Sequence, residues 1–133
     1  MGQYHKTVNL DKKEYLHAHK FGCGLKLVEQ IGFEASTADI LFLLLASSDG
    51  RGGGDLDIEW AGRWAGDRIA VIGDYSEPDD IPGVDAKAIY RAITADEPSD
   101  PEWTDISDEL VAELNRVYEF NLDVNEKVGW RHR

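Results

Sequence analysis

The chain has 133 residues, 42% of them apolar, and sets 26 aspartates and glutamates against 14 lysines and arginines, for a formal net charge of −12. That size suits one compact α+β domain over residues 1–133, burying roughly two thirds of its unfolded surface. A charge this negative argues against direct contact with nucleic acid or an anionic membrane, and for a basic protein surface as partner.

The charge is also uneven. Residues 74–113 hold thirteen acids and two bases, Lys87 and Arg91, whereas the other 93 residues hold 12 bases and 13 acids. Cys23 has no second cysteine to pair with, so no disulfide framework supports the fold and a cytoplasmic, reducing setting is expected. The longest apolar run, 40–46, falls well short of the roughly 20 residues that span a bilayer. The N-terminus lacks the hydrophobic segment of a signal peptide.

In chain order, 4–10 and 14–21 read as strands joined by Asp11-Lys12-Lys13, a first β-hairpin. If Asp11 pairs with Glu14, then Tyr4 faces Phe21, Val8 faces His17 and Leu10 faces Tyr15, which makes one continuous aromatic and aliphatic face. A loop one residue longer puts Leu10 opposite Glu14 and loses that match, so the first register is expected. Residues 24–31 fit neither the helical nor the strand period. Ser36-Thr37-Ala38-Asp39 resembles a capping box and predicts a helix over 37–48, apolar on all sides from 40 to 46 and hence the central buried element. Asp49-Gly50 supplies its stop signal.

Gly50-Arg51-Gly52-Gly53-Gly54 is a loop, because four glycines in five positions offer little to pack and much entropy to lose. After it, 58–64 and 68–75 look like a second hairpin around Gly66-Asp67. Prolines and acids make 77–83 a loop, 86–94 a short helix and 95–102 again a loop. The last helix runs over 107–120. Ile106, Leu110, Leu114, Val117 and Tyr118 form its apolar stripe, and Asp105, Asp108, Glu109, Glu113 and Glu119 lie opposite. The tail over 127–133 is mildly basic and fits no element.

Few constellations point to chemistry. His5, His17 and His19 suggest a zinc site, but in the expected register His5 projects to the other sheet face, leaving two ligands and no cysteine to complete a set. No metal or cofactor is therefore expected. The glycine loop lacks the Gly-Lys-Ser/Thr ending of a phosphate-binding loop and the dinucleotide fingerprint, and no nucleophile signature occurs. The best enzyme alternative joins an anion cradle at Arg51 to a carboxylate row, Asp55, Asp57 and Glu59, as a metal-dependent phosphate-ester hydrolase. Trp60 and Trp64, four apart, either pack together or share a strand face.

The acidic block supports a different activity. Duplex DNA presents about one negative charge per 1.7 Å of axis, and carboxylates at comparable density compete for the same basic groove. Asp105, Glu109 and Glu113 climb one helix face in steps of about 6 Å, near the phosphate spacing. With Asp79, Asp80 and Asp108 they form the candidate partner-binding set.

Met1-Gly2-Gln3-Tyr4, the run from Val8 through His17, Phe21-Gly22, Gly50-Arg51-Gly52-Gly53-Gly54-Asp55, Trp64-Ala65-Gly66-Asp67-Arg68-Ile69, Gly73-Asp74-Tyr75 and Thr104-Asp105-Ile106-Ser107-Asp108-Glu109 are spread along most of the chain. Together they resemble a group of small proteins of bacterial genomes, plasmids and phages. Ala18 and Cys23 stand where that group has proline and aspartate. The resemblance implies no catalytic residues; a mobile-element association implies a counter-defence role, such as an anti-CRISPR protein or nuclease inhibitor.

The expectation is thus an α+β fold: an antiparallel sheet of two hairpins packed on a buried central helix, with a C-terminal amphipathic helix. The expected function is a non-enzymatic acidic interaction protein that mimics nucleic acid and blocks a basic, nucleic-acid-handling partner.

Overall fold

The computed structural model describes residues 3–95 and 97–118. Asp96, Glu119, Phe120 and the basic tail over 127–133 lie outside the described residues, as do the side chains of Val117 and Tyr118.

The fold is α+β, with a four-stranded mixed sheet and three α-helices among the described residues. Strands β1 (His5–Asn9), β2 (Glu14–Leu16), β3 (Ile69–Gly73) and β4 (Thr104–Asp105) lie in the order β3-β1-β2-β4. β1 is antiparallel to both neighbours, and β4 joins β2 in parallel. The sheet is therefore not purely antiparallel, and only its first hairpin exists as such.

Both faces of the sheet are covered. On one, Val8, Tyr15 and Ile72 pack with Trp103 and with Ala86 and Tyr90 of α2 (Ala86–Ala92). On the other, Leu16 joins Phe21, Trp64, Ile40 and Leu44 of α1 (Thr37–Leu45), and Leu110 and Leu114 of α3 (Ser107–Tyr118). Two-sided burial removes the apolar alternation that fixes a hairpin register. The register is Thr7↔Leu16, Val8↔Tyr15 and Asn9↔Glu14, offset by two from the expected one. The turn sets it. Asn9 Oδ1 accepts from the backbone N–H of Asp11 at 2.9 Å and of Lys12 at 2.8 Å, Lys13 N closes onto Asn9 O, and Lys13 takes φ 56°.

Three further expectations change. The second strand stops at Leu16, because Ala18–Phe21 winds into a 3-10 turn that buries Ala18 and Phe21 and ends on Gly22 at φ 77°. The second hairpin is absent: 58–67 is a chain of turns, and β3 pairs with β1 instead. Gly62 N and Trp64 N donate to the carbonyls of Leu43 and Leu44 at the end of α1, which holds this segment against the helix.

α1 is shorter than expected and is not buried all round. Ile40 and Leu44 are in the core, whereas Phe42 is 79% exposed. Its capping box is not made: Ser36 makes no side-chain cap and its N–H donates to Phe33 O, while the Asp39 carboxylate accepts from Ala35 N at 2.6 Å, one residue before the cap. Trp60 packs against the core that holds Trp64, but the two differ in burial. Trp64 is fully buried, and Trp60 lies under the Arg63 guanidinium at 4.8 Å. Among the described residues no helix is long and apolar enough to cross a membrane.

Candidate interaction surface

The segment from the end of β3 to the start of α2 is built by its own short side chains. Gly73 N donates to Ser76 Oγ at 2.9 Å and Ser76 N returns a bond to Gly73 O, making a tight turn after the strand. Tyr4 N donates to Asp74 Oδ1 at 2.9 Å, and Glu77 N to Asp80 Oδ2 at 2.9 Å. Gly83 at φ 81° allows the bend that brings Ile81 and Val84 together, and Asp85 caps α2 by accepting from Ala88 N at 3.0 Å. The backbone is pinned while the acids stay outside.

Asp74, Glu77, Asp79, Asp80 and Asp85 are all exposed, and among the described residues no ion pair reaches any of them. Tyr75 stands among them, 61% exposed. An exposed aromatic ring within a run of exposed acids has the composition of a contact centre: the ring supplies area at little entropic cost, and the acids supply long-range attraction.

The acids of the C-terminal helix are placed differently. Asp105 lies in β4, where Oδ1 caps α3 by accepting from Ser107 N at 2.9 Å and Oδ2 stands 3.8 Å from Lys20 Nζ. Asp108 pairs with the same lysine at 2.9 Å, and Glu113 pairs with Arg116 at 2.5 Å. That guanidinium holds the Glu113 carboxyl below its ordinary range. Of the expected ladder Asp105, Glu109 and Glu113, only Glu109 is free of an ion pair among the described residues. Asp79 and Asp80 precede α2, which packs on one face of the sheet, whereas Asp108, Glu109 and Glu113 stand on α3, which packs on the other.

The glycine loop is organised rather than open. Asp55 Oδ2 accepts from Arg51 N at 2.8 Å and Gly52 N at 3.0 Å, and Asp49 accepts from Leu56 N at 2.9 Å and Ile58 N at 2.7 Å. The Asp49 carboxyl is held below its ordinary range, chiefly by the Ile58 N–H. The Asp55 carboxylate thus serves the loop itself, and Asp57, at φ 55°, turns its own toward Gly50. Among the described residues no three His, Cys, Asp or Glu side chains are grouped to hold a metal ion. His17 and His19 stack at 5.1 Å, but His5 lies on the opposite face from Lys6 and Val8, with Thr7 and Asn9.

Beneath the sheet lies a buried polar group that the sequence gave little sign of. Lys6 donates to Ile93 O at 2.5 Å and sits 5.6 Å from the Tyr15 ring. Burial pushes the Tyr15 hydroxyl up to about 12, with the Asp105 charge adding to it. Burial likewise draws His17 down to about 4, helped by Lys6 and His19. Two cavities, about 250 Å³ beside α1 and about 320 Å³ between α2 and Trp103, are lined mainly by apolar side chains, with Asp39 in the first and Lys13, Asp85 and Asp100 in the second.

Sequence reasoning missed Tyr75 and the turn at Gly73 and Ser76 as parts of a surface. Their signal was present in the run Gly73-Asp74-Tyr75-Ser76, a glycine ending an apolar strand before an aromatic and an acid. Compared with known proteins, the chain matches no family model, no curated protein and no solved structure.

Proposed function

We propose that this protein is a non-enzymatic acidic interaction protein that docks on a basic surface of the kind that holds nucleic acid, and competes with nucleic acid for it. The contact surface is the 74–85 segment, with Asp74, Glu77, Asp79 and Asp80 around Tyr75. The observation that carries the reading is the absence of any ion pair to these exposed acids among the described residues, in contrast to Asp105, Asp108 and Glu113. Carboxylates already paired on their own protein have little left to offer a partner, whereas unpaired ones attract at up to a Debye length. The resemblance to proteins of plasmids and phages gives the blocked partner a class, a nucleic-acid-handling complex of host defence.

A fluorescent duplex oligonucleotide bound to a lysine homopolymer provides the assay, with this protein added as competitor. Displacement is expected, and the triple variant Asp74→Asn, Asp79→Asn, Asp80→Asn is expected to displace about five- to tenfold less well. Asp108→Asn with Glu109→Gln serves as control and is expected to change displacement less than about twofold. Equal losses in the two variants, or no displacement by the wild type, overturn the reading.

A further inference from the structure

β3 is an edge of the sheet, and its register says which backbone groups face outward. Asp74 N donates to Tyr4 O at 3.0 Å and Leu10 N to Arg68 O at 2.8 Å. Ladder bonds alternate along an antiparallel pair. The bonded partners of β1 are therefore Ile72 and Ala70, and Ile69, Val71 and Gly73 turn their N–H and C=O away from the sheet. Gly73 is closed by Ser76. Among the described residues Ile69 and Val71 find no partner for these groups, and Val71 is 47% exposed.

Open edges invite another strand, and proteins usually blunt them with lysine, proline or a bulge. The β3 sequence, Ile-Ala-Val-Ile-Gly, contains no lysine and no proline. Its C-terminal end leads into Asp74, Glu77, Asp79 and Asp80, which have no ion pair among the described residues.

We infer that β3 receives an extended, lysine- or arginine-bearing segment of a partner protein, which adds as a fifth strand bonded to Ile69 and Val71 and sets its basic side chains against the acids of 74–80. The charge half of this inference rests on the reading of the acidic segment given above; the strand half rests on the register alone. Two outward residues give up to about four main-chain bonds, a short contact that needs the charge beside it. A second copy of this chain is the wrong occupant, since each copy brings a net charge of −12 to the same edge.

The test uses the full chain and a capped decapeptide of alternating lysine and valine, alongside the same peptide N-methylated throughout, which keeps side chains and charge but has no backbone donors. The unmethylated peptide is expected to bind at least about fivefold more tightly and to slow amide exchange at Ile69 and Val71. Val71→Pro removes an outward N–H that the β1 ladder does not use, a position where edge strands accept proline, and is expected to weaken binding by a similar factor. Equal affinity of the two peptides overturns strand addition while leaving the acidic surface standing. Weakening on methylation, with no effect of Asp79→Asn and Asp80→Asn, keeps the strand and overturns the charge. Protection of Val71 in a dimer without peptide assigns the edge to self-association and overturns the inference.

Discussion

The Glu14 carboxylate accepts the indole N–H of Trp64 at 2.8 Å while receiving both Nε and Nη2 of Arg63. Glu14 is 7% exposed and Trp64 fully buried, so a strand residue and a turn residue fifty positions apart are joined inside the core. Removing the carboxylate strands a buried indole N–H and leaves the partly exposed Arg63 guanidinium without its partner. Glu14→Ala is expected to cost about 2–4 kcal/mol, measured by urea unfolding, whereas Arg63→Ala, whose guanidinium is partly solvated, is expected to cost less. A loss under about 0.5 kcal/mol for Glu14→Ala would show that this triad does not hold 58–64 against the sheet.

Asn9 has a comparable role at the hairpin. Fully buried, it accepts from Asp11 N and Lys12 N and donates to Asp67 Oδ2 at 2.9 Å, tying the first turn to the start of β3. Asn9→Ala is expected to lower stability by about 2 kcal/mol and to raise amide exchange at Asp11 and Lys12. Unchanged exchange at those amides would mean the turn closes without it.

His17 gives a pH dependence whose sign can be worked out. Its folded value of about 4 lies below the ordinary 6.5, so between these values the unfolded chain binds the extra proton. The contribution of the neutral imidazole to stability is full above about pH 6.5 and is lost as pH falls toward 4, up to about 3 kcal/mol. His17→Gln is expected to flatten the stability profile between pH 6.5 and 4, measured by denaturation midpoints. A variant that tracks the wild type across that window would place the proton elsewhere.

α1 offers a contrast between two neighbours. Phe42 is 79% exposed and Leu44 fully buried. Phe42→Ser is expected to change stability by less than about 0.5 kcal/mol, and Leu44→Ala to cost about 2–4 kcal/mol, both read from thermal or urea unfolding. The reverse order would restore the helix to the all-round burial that its composition suggests.

The elements with a strong period were legible in the sequence. α3 was marked by Ile106, Leu110 and Leu114, all buried, and α2 by its flanking loops. What was not legible depended on partners far along the chain. Apolar faces alone do not set the hairpin register, because the buried residues of β1 include Lys6, Thr7 and Asn9; Ile93 O satisfies Lys6 and Asp67 satisfies the Asn9 amide. Turns at 58–67 looked like a strand because Ile58 and Trp64 are apolar, though both point into the core from irregular backbone. For the site, the acids were visible and their neutralisation was not. Lys20, 85 residues before Asp105, lies beside it only once the 3-10 turn of Ala18–Phe21 has brought it to the start of α3.

The most direct measurement is an amide chemical-shift map of the isotopically labelled chain during titration with a lysine-rich peptide at low salt. Shifts concentrated on Asp74, Tyr75, Glu77 and Asp80, fading together as salt is raised, are the expected result. Shifts centred on Asp108 and Glu109 of α3, or spread evenly over every exposed acid, would contradict it.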